Sequence, residues 1–174
     1  MGDISTIFAL KLAPYLALRP YNLRSLEWDE INFEKELIEI SKEKMKMDKD
    51  FVLPLSKQAL QILKEIEKFK SGSKYLFYSS SSQIRCISEN TINHALHKMG
   101  YKNKHTGHGF RAMFSTIAHE HISEHGFHSD IIESCLSHSE KNAIKAAYNR
   151  ESKFKYLEEK RKLMQWWADW LDKV

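Results

Sequence analysis

Only two cysteines, Cys86 and Cys135, occur in 174 residues, and neither belongs to a CxxC pair. That argues against a disulfide scaffold and a thiolate zinc site, and it fits a reducing compartment. Glycine and proline are scarce, at 6 and 3, against an apolar share of 42%. A disordered chain needs the opposite balance, so a compact, helix-rich fold is expected. No apolar run reaches the length of a membrane span. The opening MGDISTIFALKLAPYLALRP lacks the basic start and small-residue cleavage site of a secretory leader. No strong excess of one charge exists either: 27 Lys and Arg stand against 23 Asp and Glu, for a net +4. A balance this mild permits a nucleic-acid partner without requiring one. There is no internal repeat.

What is present is periodic. ISTIFALKLAPYLAL spaces its apolar residues as a helix, with a kink expected at Pro14, and NLRSLEW reads as a second helix. INFEKELIEIS then changes period: Ile31 and Phe33, then Leu37, Ile38 and Ile40, flank a polar turn and predict a hairpin. DFVLPLS reads as a third strand, and Pro54 suits an edge or terminal position. SKQALQILKEIEKF is a helix with Ser56 as its N-cap. SGSKYLFYSSSSQIRCIS reads as a loop around the apolar piece Tyr75 to Tyr78. Further helices follow in SENTINHALHKMG, closed by Gly100, in GFRAMFSTIAHEH, DIIESCL and EKNAIKAAY, and in a long amphipathic tail with Trp166, Trp167 and Trp170. Helices, a small three-stranded antiparallel sheet and more helices make an α+β, mostly α class in one domain spanning 1–174.

Four places carry chemistry. In HTGHGFRAMFST, His108 and Arg111 are three apart at a helix start, so they share a face beside unpaired amides. Arg19 ends an apolar helix just before a proline, where it is either a snorkelling surface cation or a buried one. Lys46 lies in KEKMKMDKDFVLP between two strands, a common place for a solvated lysine. His138 follows ESCL, and ten residues later Tyr148 ends an alanine-rich helical stretch. Taken singly, each is more easily a surface or packing residue.

Their order along the chain is more specific than any one of them. With RPYNLRSLEW around Arg19, Lys46 eight residues before Pro54, the block HGFR, and CLSHSEKNAIKAAYNR, the chain resembles the catalytic domain of the tyrosine recombinases, the phage-type integrases. The resemblance runs from roughly residue 5 to residue 172, and the tail looks most like integrases of prophages and genomic islands. One departure stands out. The family usually carries an acidic residue three after the first arginine, a brace for the active site, and here that position is Asn22, with Tyr21 where glycine is common.

The resemblance implies a site of Arg19, Lys46, His108, Arg111, His138 and Tyr148, with no metal and no cofactor. Arg19 and Arg111 would clamp the non-bridging oxygens of a DNA phosphate, since guanidinium is planar, always charged and bidentate. Tyr148 would be the nucleophile. A free phenol is only about one part in a thousand ionised at pH 7, and neighbouring cations with a base offset that deficit. His108 would accept the proton, His138 would donate to a phosphate oxygen, and Lys46 would protonate the departing 5′-oxygen. The implied activity is site-specific cleavage and rejoining of double-stranded DNA through a 3′-phosphotyrosine. A catalytically silent DNA-binding module and a topoisomerase-like cleaver of the same fold stay open as alternatives. The resemblance further implies a tetramer on DNA assembled through the tail, and a place at the nucleoid in a bacterial cytoplasm. It also implies arm- and core-binding domains upstream in a longer protein.

Two features stand outside this set. HEHISEHGFH packs His119, His121, His125 and His128 into ten residues. It holds no HExxH, a helix break is expected at Gly126, and no thiolate is near, so a solvated or DNA-facing helix end is the expectation rather than a metal site. The tail tryptophans are expected to pack on the domain's own core, with docking into a neighbouring protomer as the alternative.

Overall fold

The structure is a computed structural model that describes residues 3–46, 48–137 and 154–174. Its centre is α1 (Ile4–Leu16), which packs against α3 (Lys57–Glu67), α4 (Thr91–Leu96), α5 (Gly109–Glu120) and α8 (Leu157–Leu171). Phe8, Ala9, Leu12, Ala13 and Leu16 form one stripe of helical spacing and are all buried. The helix ends at Ala17, whose φ of 48° lies in the left-handed region. Arg19 is then extended, as a residue before proline must be, and Pro20 opens the short α2 (Pro20–Arg24).

The expected second helix is shorter than NLRSLEW suggested. It stops at Ser25, whose hydroxyl donates to the Tyr21 carbonyl and competes with helix continuation, and a 3₁₀ turn begins at Trp28. The expected three-stranded antiparallel sheet is present, with β1 (Ile31–Asn32), β2 (Leu37–Ile40) and β3 (Phe51–Pro54) in the order β1-β2-β3. Ile38 faces both Ile31 and Leu53, and Pro54 pairs with Leu37 on an edge strand, where a missing amide does no harm. Ser56 caps α3, its Oγ accepting from the Ala59 amide at 3.2 Å.

The serine-rich segment is more ordered than a loop. It forms a second hairpin, β4 (Tyr78–Ser79) with β5 (Ser82–Cys86), and Leu76 and Phe77 just before it are buried. Backbone bonds from Leu76 to Leu26 and from Trp28 to Lys74 tie it to the segment after α2. Between α4 and α5 the chain passes through a π-helical turn (His97–Tyr101) that contains Gly100 at φ 88°. The remaining helices are α6 (Ile122–His125), ended by Gly126 at φ 77°, and α7 (Ser129–Cys135). The expected helix EKNAIKAAY lies outside the described residues.

The tail packs in cis. Trp167 is fully buried, stacks on Trp170 with centroids 5.5 Å apart, and meets Phe114 edge-on at 5.3 Å. Its Nε1 donates to the Pro14 carbonyl at 2.8 Å. That carbonyl belongs to the last turn of α1, where intrahelical donors have run out, so the indole satisfies an orphan acceptor. Lys160 is buried as well, its ammonium donating to the Val52 carbonyl of β3 and lying 4.9 Å over the Phe51 ring. Burial holds its pKa below the ordinary lysine value.

Candidate active site

Arg111 stands on the first turn of α5 and is only 5% exposed. Its Nη1 donates to the Ala17 carbonyl at 3.2 Å, and its Nη2 donates to the Leu136 carbonyl. Ala17 and Leu136 are the C-caps of α1 and α7. One guanidinium therefore sits where two helix C-termini present their negative ends. These bonds leave three of its five N–H groups for other partners. Burial pushes its pKa down to about 10, and the like charge of Arg19 pushes the same way, against an opposing pull from Glu133. The group is still a full cation at neutral pH.

Arg19 occupies the N-cap position of α2 without a side-chain cap bond. Its Nη2 reaches the Ser137 carbonyl at 3.5 Å. Its Nη1 is buried and has no hydrogen-bond partner among the described residues. The two arginines, 92 residues apart, thus reach adjacent carbonyls of one turn and repel each other there. Two partly desolvated cations, one with a buried donor unpartnered among the described residues, are chemically suited to an oxyanion.

His108 is the N-cap of α5 and is exposed; its carbonyl accepts from the amides of Arg111 and Ala112. Lys46 is exposed in the loop between β2 and β3, with no partner among the described residues. The preceding residues are held firmly. Lys44 donates to the Ser25 carbonyl at 2.6 Å and pairs with Glu30 at 2.8 Å and Glu27 at 3.5 Å. Met45 is buried. Asn22, itself 3% exposed, donates through Nδ2 to the Lys44 carbonyl at 3.0 Å. His138 and Tyr148 lie outside the described residues; Leu136 and Ser137, which the arginines hold, come just before His138 in the chain.

One residue near the site was not singled out in the sequence. The His105 ring packs edge-on against Phe110 at 4.4 Å, and its Nε2 is buried with no partner among the described residues. It also fills the space beside Gly109: a Cβ there would fall 2.8 Å from the ring. Glycine in HGFR is thereby explained by close approach, for its φ is not in the left-handed region. The signal available in the sequence was the spacing H-x-x-H-G itself, which puts two imidazoles either side of a glycine helix start.

The histidine-rich stretch is used in packing. His125 donates from Nε2 to the Ala118 carbonyl and accepts the Phe127 amide at Nδ1, so both ring nitrogens are occupied. It also meets Trp166 edge-on at 4.6 Å, and His121 lies against Trp166 and Trp170. His119 bonds the Ser115 carbonyl and the Ser129 hydroxyl. Tyr15, half-buried beside the tail, donates to Asp172 at 2.7 Å, and burial and that bond raise its pKa to about 12.

Comparison with known proteins places this arrangement. The description "Phage integrase family" matches residues 2–154. The integrase of Shigella phage Sf6 is 36% identical over 172 residues, covering 98% of this chain and 43% of that protein. The chain therefore spans less than half the length of that relative. The integrase from mycobacterium phage Brujita shares the fold at a TM-score of 0.66 and 13% identity, over 95% of this chain and 52% of that one. The Tn1549 transposon integrase, solved in complex with circular intermediate DNA, superposes at 0.57 with 15% identity, over 91% of this chain and 58% of its own. With a match along most of its length and more than a third of its residues shared with a phage integrase, the chain belongs to the phage integrase family.

Proposed function

We propose that this chain is the catalytic domain of a site-specific DNA recombinase that cuts and rejoins double-stranded DNA through a covalent 3′-phosphotyrosine. The reading is supported above all by the pairing of Arg19 and Arg111 at one turn, with the Nη1 of Arg19 buried and unpartnered among the described residues. A phosphodiester oxygen is the acceptor such a donor lacks, and its charge offsets the repulsion between the guanidiniums.

The roles follow from the chemistry. Tyr148 Oη attacks phosphorus, and the bond from phosphorus to the 5′-oxygen breaks. The phenolic proton passes to His108, and the 5′-oxygen takes a proton from Lys46. His138 donates to a non-bridging oxygen beside the arginine clamp. The new phosphotyrosine ester conserves the energy of the broken bond, so the reverse attack by a 5′-hydroxyl needs no ATP, and every proton is carried by a side chain without a metal.

In this reading, core-binding and arm-binding domains lie upstream in a longer integrase. The domain works as a tetramer on DNA in a bacterial cytoplasm. The Tn1549 integrase complex with DNA supports the choice of partner by shared fold.

The test is a nicked suicide duplex, from which the short strand beyond the cut diffuses away. A recombinase accumulates a covalent 3′-adduct and then ligates a foreign 5′-hydroxyl strand. Tyr148→Phe retains DNA binding and forms no adduct. A binding module traps nothing, and a nuclease releases a free end; either result overturns the proposal.

A further inference from the structure

We propose that Asn22 is a positioning residue for Lys46, acting through the backbone carbonyl of Lys44. The inference rests on the reading of Lys46 as the proton donor to the leaving oxygen. Three contacts lead to it. Asn22 Nδ2 donates to the Lys44 carbonyl at 3.0 Å and lies 3.5 Å from Met45 Sδ. Met45 is 7% exposed, so it plugs the loop into the core. Lys44 fixes the same segment a second time through Ser25 and Glu30. The first residue past these anchors is Lys46, exposed and unpaired among the described residues.

The polarity of the contact matters. Asn22 meets a carbonyl and a thioether, both acceptors, so it must present its NH₂ group. A carboxylate at this position has no proton to give. It would face the Lys44 oxygen as a buried, unpaired charge at a site only 3% exposed. The departure from the family's acidic residue is therefore matched to the loop it touches. Arg19 and Asn22 also occupy one turn of α2, as its N-cap and third residue. That turn, set by Pro20, carries the proposed phosphate clamp at one end and the loop anchor at the other. Displacement of the anchor moves the acid relative to the phosphate and leaves the nucleophile and clamp in place.

The experiment measures single-turnover cleavage in the full chain of two nicked duplexes, one with the natural 5′-oxygen at the scissile phosphate and one with a bridging 5′-sulfur. A thiolate departs without protonation, so the sulfur substrate does not need the acid. Asn22→Ala and Asn22→Asp are expected to cut the oxygen substrate about 10- to 100-fold more slowly than wild type. On the sulfur substrate they are expected to come within about threefold of it, as the need for a placed acid disappears. Lys44→Gln, which loosens the second anchor, is expected to give the same pattern and provides an independent route if a substitution at 22 prevents folding.

Lys46→Ala is the control. If it is not rescued by sulfur, the reading of Lys46 as the acid fails. If Lys46→Ala is rescued while folded Asn22 and Lys44 variants are not, or if those variants cut the oxygen substrate at the wild-type rate, the positioning role is overturned and the Lys46 reading stands.

Discussion

Arg19 and Arg111 donate to the carbonyls of Ser137 and Leu136, two neighbours in one turn, from helices that are far apart in the chain. Through Arg111 the C-terminal ends of α1 and α7 are joined over the start of α5, so the cations of the proposed phosphate clamp also hold that junction together. On the proposed reading, phosphate binding there is coupled to local stability, and the coupling is measurable.

Inorganic phosphate is expected to stabilise the fold. At ten times its dissociation constant, a single anion site adds about 1.4 kcal/mol, or a rise of about 3–6 °C in the melting midpoint for a domain of this size. Arg19→Ala is expected to remove most of that shift at matched ionic strength. Equal shifts in wild type and variant would show that the anion acts elsewhere.

Arg111→Lys is expected to cut cleavage at least a hundredfold, since lysine cannot supply the planar fork and one lost donor at a transition state costs about 3–4 kcal/mol. It also gives up bonds to two helix ends, so urea unfolding is expected to show a lower midpoint. Near-normal adduct formation on a suicide duplex would remove Arg111 from the clamp.

Trp167→Ala is expected to destabilise the domain by about 3–5 kcal/mol, the usual cost of emptying a large aromatic site. Trp167→Phe keeps most of the packing and loses the bond to Pro14, at about 1 kcal/mol. Urea unfolding separates the two, and equal losses would mean that the hydrogen bond, rather than the ring, is the larger contribution.

Alkaline pH is expected to weaken the fold through Tyr15. Its folded pKa of about 12 stands above the ordinary 10.0, so the unfolded chain gives up this proton first. The stabilising contribution is whole below pH 10 and is lost as pH rises toward 12. Cys135, raised to about 12 by burial, adds a loss that begins near its ordinary value of 9.0, and Lys160, lowered by burial, works in the opposite direction. The difference in stability between wild type and Tyr15→Phe isolates the phenol. A difference that stays constant from pH 9 to 12 would show that its hydroxyl is not held as described.

The parts of the fold that local chemistry dictates were readable in advance. Ser56 caps α3, Pro54 lies on an edge strand, and α8 turns its tryptophans onto the core with Trp167 buried, because each follows from the local pattern of residues. The β4–β5 hairpin was not, because serines carry no alternation of apolar residues; it is tied to the domain through Leu76 and Phe77, buried just before it, and by backbone bonds to Leu26 and Ile87. The approach of Arg19 to Arg111 has no local signature either. It was expected only from resemblance, since no periodicity links residues so far apart. Asn22 stands out in the sequence only as a departure from the family's acidic residue. Its use became visible once the Lys44 carbonyl stood opposite, and His105 emerged only from the room it takes beside Gly109.

The indole of Trp167 reaches back across 153 residues to Pro14. Within this domain, α1 is therefore made well before α8, the helix that completes its surroundings. Until then, α3, α4 and α5 cover only part of the apolar stripe of α1, and termination before α8 would leave the rest of that stripe open to chaperones. Closure of this domain is therefore a late event in its own synthesis, since the stripe of α1 gains part of its cover only once α8 has been made.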